Sequence, residues 1–243
     1  MIKNAFGSAI IGVSIIITAL ILSGAWVKGK QNNESVYVIG SASNDFVSDL
    51  IVWRGSFSRK AFSIKEAYGM MKTDAENIKK YLTGKGVSEK DIVFSSVEIQ
   101  KNFRQEMIND RQSREVFDGY TLLQSITIES KDVDKVEKIS REITELIDLG
   151  IELNSQMPEY FYTKLSALKI EMLAKATADA KLRAEKIAEN AGGDLGKLKD
   201  ANMGIFQITG QNTSEDYSYG GAYNTNAKNK TASITVRLQY GID

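Results

Sequence analysis

Apolar residues recur along this chain at two spacings, and each spacing predicts one kind of element. Apolar residues that alternate with polar ones, or that form short runs between turn residues, predict β-strands. Such segments lie at 36–40, 50–57, 92–100, 120–129, 151–162, 195–209 and 232–240. We expect the strand at 151–162 to be interrupted or to end near Pro158. The strict alternation over 232–240 predicts a strand with one face in water.

Three other stretches repeat their apolar residues every three to four positions, which predicts amphipathic helices. The first begins after Ser63, a predicted N-cap, and ends at Gly84. The second has its apolar residues at 133–146 and ends at Gly150. The third spans 164–190. We expect it to approach a sheet or another helix closely, because its predicted buried stripe is mostly alanine. The residues of that stripe are Leu165, Leu168, Met172, Ala176, Ala180, Ala184, Ile187 and Ala191.

The order of these elements predicts an α+β fold with antiparallel sheets and helices packed on one face. It also fits two successive β-α-β-β units, at 45–129 and at 151–240. The charged segment 101–119 joins two of the strands, which predicts a long exposed hairpin arm. The segment 210–231 is rich in Ser, Asn, Gly and Tyr and predicts a loop.

The start of the chain is strongly apolar and carries no charged side chain over 4–27. A helix of that length rises far enough to cross a hydrocarbon core of roughly 30 Å. We therefore expect one transmembrane helix that contacts the membrane through residues 5–27. The alternative is a secretory signal cleaved after Ala25. The uncleaved anchor is favoured, because the apolar run exceeds the usual signal core and Trp26 suits a membrane interface.

This pattern divides the chain into an anchor or signal segment at 1–30, a polar tether at 31–35 and one extracytoplasmic α+β domain at 36–243. The domain is long enough to bury a core of its own.

The composition excludes several classes of function. Lys and Arg together number 31, as do Asp and Glu, so the chain has no field that would attract nucleic acid. Cysteine and histidine are both absent. Disulfides, thiolate nucleophiles, thiolate- or imidazole-bound metals and a Ser-His-Asp triad are therefore impossible. The sequence also lacks the two glycine-rich phosphate-binding motifs. We predict no cofactor, no metal and no catalytic residue.

Aromatic residues supply the candidate binding positions. Tyr217, Tyr219 and Tyr223 lie in the polar loop and resemble an adaptable binding surface, because tyrosine offers contact area with few torsions. The alternative, which we favour, is a loop without a partner. Trp53 and Phe57 share one strand face, and core packing is the simpler interpretation for them than a ligand platform.

Several segments, in this order and spacing, resemble the SIMPL domain family of bacterial exported proteins, which includes oxidative-stress-defence proteins and immunogenic outer-membrane-fraction antigens. The resemblance covers most of 36–240 and is carried by VYVIGSASNDFVSDLIVWRGSFS, LTGKGVSEKDIVFSSVEI, DGYTLLQSITIESKDVDKV and ALKIEMLAKATADAKLRAEKIAENAGGDLGKL. It implies an α+β fold, ring-shaped homo-oligomers in some members and no established enzymatic activity. The arm at 101–119 departs from the shorter link that the family leads us to expect.

Two functions are compatible with the sequence. The first is a non-enzymatic protein of the cell envelope, anchored in the inner membrane with its domain in the periplasm. It would self-associate and act as a scaffold or protective factor, for instance under oxidative stress. The second is an extracytoplasmic binding module that recognises an envelope polymer or protein through the loops 101–119 and 210–231. An enzyme is a weaker third interpretation, because it would need a pocket with convergent carboxylates, Lys or Tyr.

Overall fold

The computed structural model describes residues 2–31, 34–109, 112–215 and 218–243. Within these residues the helices are α1 Ile2–Gln31, α2 Ile64–Gly84, α3 Val133–Glu142 and α4 Leu165–Ala191. The strands are β1 Ser35–Val47, β2 Leu50–Ala61, β3 Ile92–Phe94, β4 Glu98–Asn109, β5 Gln112–Ser130, β6 Leu153–Ser155, β7 Glu159–Phe161, β8 Leu195–Met203, β9 Gln207–Gly210 and β10 Asn229–Ile242. The predicted α+β class is confirmed, and so is the interruption of the strand at Pro158.

The strands form two antiparallel sheets. In sheet A, β10 is central, with β1 on one side and β8 followed by β9 on the other. In sheet B, β5 pairs with β2 on one side and with β3 and β4 on the other, while β6 and β7 pair with the far edge of β2. Helix α4 packs on sheet A, and α2 and α3 pack on sheet B. Each sheet therefore has one helix-covered face, as predicted.

Both sheets use the same β-α-β-β arrangement, in which the last strand is the central one. In sheet B the unit consists of β2, then α2, then the two consecutive strands β3 and β4, and finally the central strand β5. Sheet A takes its first strand from β1, at the beginning of the domain. The prediction of a second unit that starts at residue 151 is therefore wrong, because β6 and β7 pair with β2 in sheet B. Only Ser48 and Asp49 separate β1 from β2, so the chain crosses between the sheets there.

Helix α4 lies close to sheet A because the contacting side chains are small. Its buried residues are Leu168, Met172, Ala176, Ala180, Ala184 and Ala188. Those from Leu168 to Ala184 pack against the alternate residues of β10, which are Ala232, Ile234, Val236, Leu238 and Tyr240. The predicted stripe is wrong at its end, where Ile187 and Ala191 are exposed. The i, i+4 row from Ala176 continues to Ala188, whereas Ile187 is rotated away from the sheet.

Sheet B has a separate core under α2 and α3. Trp53 and Phe57 are both buried in it, which confirms the core interpretation of these residues. The indole Nε1 of Trp53 donates a hydrogen bond to Ser155 Oγ at 3.0 Å. Helix α2 begins after Ser63, as predicted, but the Ser63 side chain makes no capping hydrogen bond.

The charged segment 101–119 forms the predicted exposed hairpin arm. It lies in β4 and β5, which pair almost to the tip, so the arm is a two-stranded ribbon and not an irregular loop. At its base Gly119 has a φ of +93°, and a Cβ placed there would lie 2.6 Å from the carbonyl oxygen of Ala61. Only glycine permits this close approach between the ribbon and the end of β2.

The apolar start of the chain is helical, as α1. Of the residues at 12–26, the large apolar ones are exposed and include Ile15, Leu20 and Trp26. Among the described residues, no helix combines the length and the apolar character that a membrane crossing requires.

Candidate functional site

A cleft of about 780 Å³ opens on the face of sheet A that α4 leaves uncovered. Its position follows from the period-two pattern of the strands, since alternate residues of β1 and β10 face away from the helix. The volume is within the range of small-molecule sites. Nothing in the sequence pattern alone had indicated a cleft at this position.

The floor of the cleft is a set of hydroxyl groups on two paired strands. Ser41 of β1 lies opposite Thr235 of β10, and Ser43 lies opposite Ser233. Gly204 extends the Ser41–Thr235 pair across the sheet, because its N–H donates a hydrogen bond to the Thr235 carbonyl at 2.8 Å. A Cβ at Gly204 would lie 2.5 Å from Thr235 Oγ1, so a larger residue would displace the wall of the cleft.

The roof of the cleft is the segment after β9, and Gln207 holds it in place. The buried Gln207 side chain donates through Nε2 to the Ser218 carbonyl at 2.7 Å. Its Oε1 accepts from the Ser218 N–H at 3.2 Å and from the Ala222 N–H at 2.7 Å. The side-chain amide thus adds to the backbone pairing of this loop with β9, in which the Ile208 N–H donates to the Ala222 carbonyl at 2.8 Å.

A buried lysine anchors the far end of the same loop. The Lys230 side chain is fully buried, and its Nζ donates to the carbonyl oxygens of Asn224 and Ala227. Burial lowers the pKa of Lys230 to about 8, although the nearby Glu215 carboxylate acts in the opposite direction. The neutral amine retains two N–H donors, which suffice for both carbonyls.

The loop also connects the two sheets. Lys228 forms ion pairs with Asp134 and Glu137 of α3, the second at 3.0 Å. The hydrogen bonds that Lys228 donates to the Asp134 carboxylate and, to a smaller extent, to the Glu137 carboxylate raise the pKa of Lys228. The Tyr160 N–H donates to the Thr225 carbonyl at 2.7 Å. The segment is therefore a structured bridge, and these contacts fix the cleft relative to sheet B.

The three candidate tyrosines have different positions. Tyr219 lines the cleft and is 98% exposed, so its ring stands free at the rim. Tyr223 is turned towards sheet B, where its hydroxyl accepts from the Tyr162 N–H at 3.4 Å and its ring lies 6.5 Å from that of Phe161. Tyr217 lies outside the described residues. The structure thus places only Tyr219 at the cleft.

The polar residues of the site were not predicted from the sequence. Ser41, Ser43 and Thr235 alternate with apolar core residues, and this alternation was visible. It could not distinguish a cleft from an ordinary wet strand face. The role of Gln207 in holding the loop could not be predicted from the sequence, because its hydrogen-bond partners lie on the irregular loop that follows β9.

Most of the surface that lines the cleft is apolar, and neutral hydroxyl groups on its floor supply the hydrogen-bonding capacity. Among the described residues that line it, none is charged. In the same part of the chain, no cluster of three or more Asp or Glu side chains could hold a metal ion. A smaller hollow of about 250 Å³ adjoins the cleft and is lined by Ile39, Asn202 and Arg237. Gly204 and Thr235 line both cavities, so together these form an elongated groove.

A second surface lies on the β4–β5 ribbon. Phe103 pairs with Phe117 and Met107 pairs with Ser113, which places these apolar side chains on one side of the ribbon. Phe62 extends this surface, because its ring centroid lies 6.3 Å from that of Phe117. We call Phe62, Phe103, Met107 and Phe117 the ribbon patch. All four side chains are exposed.

The chain matches the family model described as SIMPL, protein of unknown function (DUF541), over residues 36–240. The comparison with curated proteins gave no significant match. The match covers both sheets, the cleft and the ribbon, and it begins after the apolar helix. The chain therefore belongs to the SIMPL family.

Proposed function

We propose that this chain is a membrane-tethered, extracytoplasmic SIMPL protein that acts by self-association and not by catalysis. In this role it is a scaffold or protective factor of the cell envelope. The observation that carries the proposal is the ribbon patch. Phe103 and Met107 are 57% and 68% exposed on an arm that extends from the domain.

The chemistry of the ribbon patch supports a protein contact. Aromatic residues and methionine are enriched in protein interfaces, and contiguous exposed apolar groups are uncommon on monomeric surfaces. The opposite side of the ribbon carries the ion pair of Arg114 and Glu106 at 2.8 Å, together with the apolar Val116. On the patch side the Gln105–Glu115 pair lies between Phe103 and Met107, so a contact with a second copy would combine apolar and polar groups.

The apolar start of the chain supports the tether. Residues 5–27 carry no charge, and within them the described residues of α1 are exposed over 13–26. Burial of these side chains in a bilayer would remove a large apolar area from water. We propose that the domain lies on the periplasmic side of the inner membrane.

Single-cysteine cross-linking tests the self-association, because the natural chain contains no cysteine. In full-length protein in detergent, we expect Met107→Cys treated with a flexible bismaleimide to give a covalent dimer. Lys181→Cys is the matched control, since it is an exposed position of α4 distant in sequence from the ribbon. Equal dimer yields from the two positions would contradict a specific contact through the ribbon patch.

A second candidate function is favoured by the cleft in sheet A. In this function the domain is a binding module whose loop at 210–231 takes part in recognition of an envelope polymer or protein. The supporting observation is a preorganised cleft with hydroxyl groups on its floor and Tyr219 at its rim. We expect Tyr219→Ala to abolish capture of a partner from membrane extracts while the thermal unfolding midpoint stays unchanged. Capture that persists in this variant would remove the candidate.

A further inference from the structure

We propose that the groove on sheet A binds an uncharged oligosaccharide chain. This inference rests on the second candidate function and specifies its ligand. It is carried by four features: the hydroxyl-lined floor of the cleft, the lack of charge among the described residues that line the cleft, the exposed aromatic rim and the elongated shape of the groove.

The floor suits a ligand whose polar groups are themselves hydroxyls. Ser41, Ser43 and Thr235 each present an O–H that can donate one hydrogen bond and accept two. Sugar hydroxyls have the same dual capacity, so donor and acceptor roles can adjust to each other along the two strands. A ligand with only acceptors, such as a phosphate, would use this floor less completely.

Because none of the described residues that line the cleft is charged, the cleft favours neutral ligands over ionic ones. A carboxylate or ammonium group that enters such a cleft loses hydration without gaining a counter-charge. Arg237 and Asn202, in the adjoining hollow, offer further donors to hydroxyl or ring oxygens. The ligand segment that complements the cleft itself is therefore uncharged, and the guanidinium of Arg237 acts only on the part of the ligand in the hollow.

The rim supplies the apolar half of sugar recognition. Pyranose rings carry one face of C–H groups, which can pack on an aromatic ring and leave the hydroxyls free for hydrogen bonds. Tyr219 presents such a ring, and Ile205 is half-exposed on the same cleft. Burial of the Tyr219 ring under a sugar would remove its apolar area from water at little conformational cost.

The shape of the groove favours a chain over a single sugar. The cleft of about 780 Å³ continues into the hollow of about 250 Å³ through Gly204 and Thr235. The groove is also held in advance of binding, because Gln207 fixes the loop above it. Preorganisation of this kind reduces the entropy lost when a ligand binds.

The test is a binding titration of the full-length protein in a detergent without sugar head groups. The three neutral probes are chitohexaose, cellohexaose and maltohexaose. Isothermal titration calorimetry measures their dissociation constants. We expect at least one probe to bind with a dissociation constant of about 1 mM or tighter. Tyr219→Ala and the near-isosteric Thr235→Val should each weaken that probe about tenfold, a change of about 1.4 kcal/mol.

The matched control is Tyr68→Ala, which removes an exposed tyrosine from α2 on the other sheet and should leave the affinity unchanged. Far-ultraviolet circular dichroism establishes that each variant is folded. Failure of all three probes at millimolar concentration overturns the proposal, as does equal binding by wild type and both groove variants. If no sugar binds but Tyr219→Ala still abolishes partner capture, the binding module stands and the sugar ligand is wrong.

Discussion

The backbone of Gly40 in β1 lies directly against Ala180 of α4: a Cβ placed on Gly40 would be 2.6 Å from the Cβ of Ala180. This contact sets the distance between the helix and sheet A. Gly40→Ala should therefore force α4 away from the sheet and lower the free energy of unfolding by about 1–3 kcal/mol. Chemical denaturation measures the effect.

Gly69→Ala is the control for this substitution. Gly69 lies in α2 with open space around its Cα, so a methyl group there meets no neighbour. Alanine should raise the free energy of unfolding by about 0.5–1 kcal/mol through its higher helix propensity. A destabilisation of similar size in both variants would show that the Gly40 contact has no special role.

The ion pair between Arg59 of β2 and Asp74 of α2 supports the core of sheet B. Asp74 is only 5% exposed, and it accepts from Arg59 Nη2 at 2.9 Å. Asp74→Ala should lower the free energy of unfolding by about 2–4 kcal/mol, because the guanidinium keeps only its bond to the Gly150 carbonyl. The exposed pair of Lys175 and Glu171 provides the contrast, since Lys175→Ala should change stability by less than about 0.5 kcal/mol.

Lys230 gives the protein a stability gain at alkaline pH. Its pKa is about 8 in the fold and 10.5 in the unfolded chain, so the unfolded chain binds more protons between these values. The free energy of unfolding should therefore rise with pH from about 8 to 10.5 through this group. Relative to Lys230→Met, the wild type should gain on the order of 3 kcal/mol across that window. A difference that is independent of pH would contradict the low pKa.

The clamp formed by Gln207 predicts a local change in dynamics. Gln207→Glu is isosteric but replaces the Nε2 donor with an acceptor that faces the Ser218 carbonyl. Amide hydrogen exchange at Ser218 and Ala222 should accelerate by about tenfold or more, because the loop opens without global unfolding. The exposed Gln156→Glu should leave exchange in the loop unchanged.

The local elements of this fold could be predicted because their signals are local. The alternation over 232–240 is a period-two pattern, and each of its apolar residues is buried in the structure. The prediction that Ile187 is buried was wrong, and Ala188 is buried in its place. The larger apolar side chain was assigned to the buried stripe because of its greater hydrophobicity. In a helix packed through alanines, the i, i+4 row decides which residue is buried.

The pairing of the strands could not be predicted. β1 pairs with β10 over 13 residues, with Ser35 opposite Gly241, although almost the whole domain separates them in sequence. No local pattern encodes such a partner. The cleft follows from that pairing, because it brings Ser41 beside Thr235. Of the residues that line it, only Tyr219 could be named from the sequence as a candidate binding residue.

The most direct test of the account is the mass of residues 31–243 in solution. Both hydrophobic cores lie within this fragment, and so does the ribbon patch. Sedimentation equilibrium at micromolar concentration should give a mass of at least two chains that falls on dilution, and Phe103→Ser should shift the fragment towards monomer. A strictly monomeric fragment at every concentration would contradict self-association as the function of this protein.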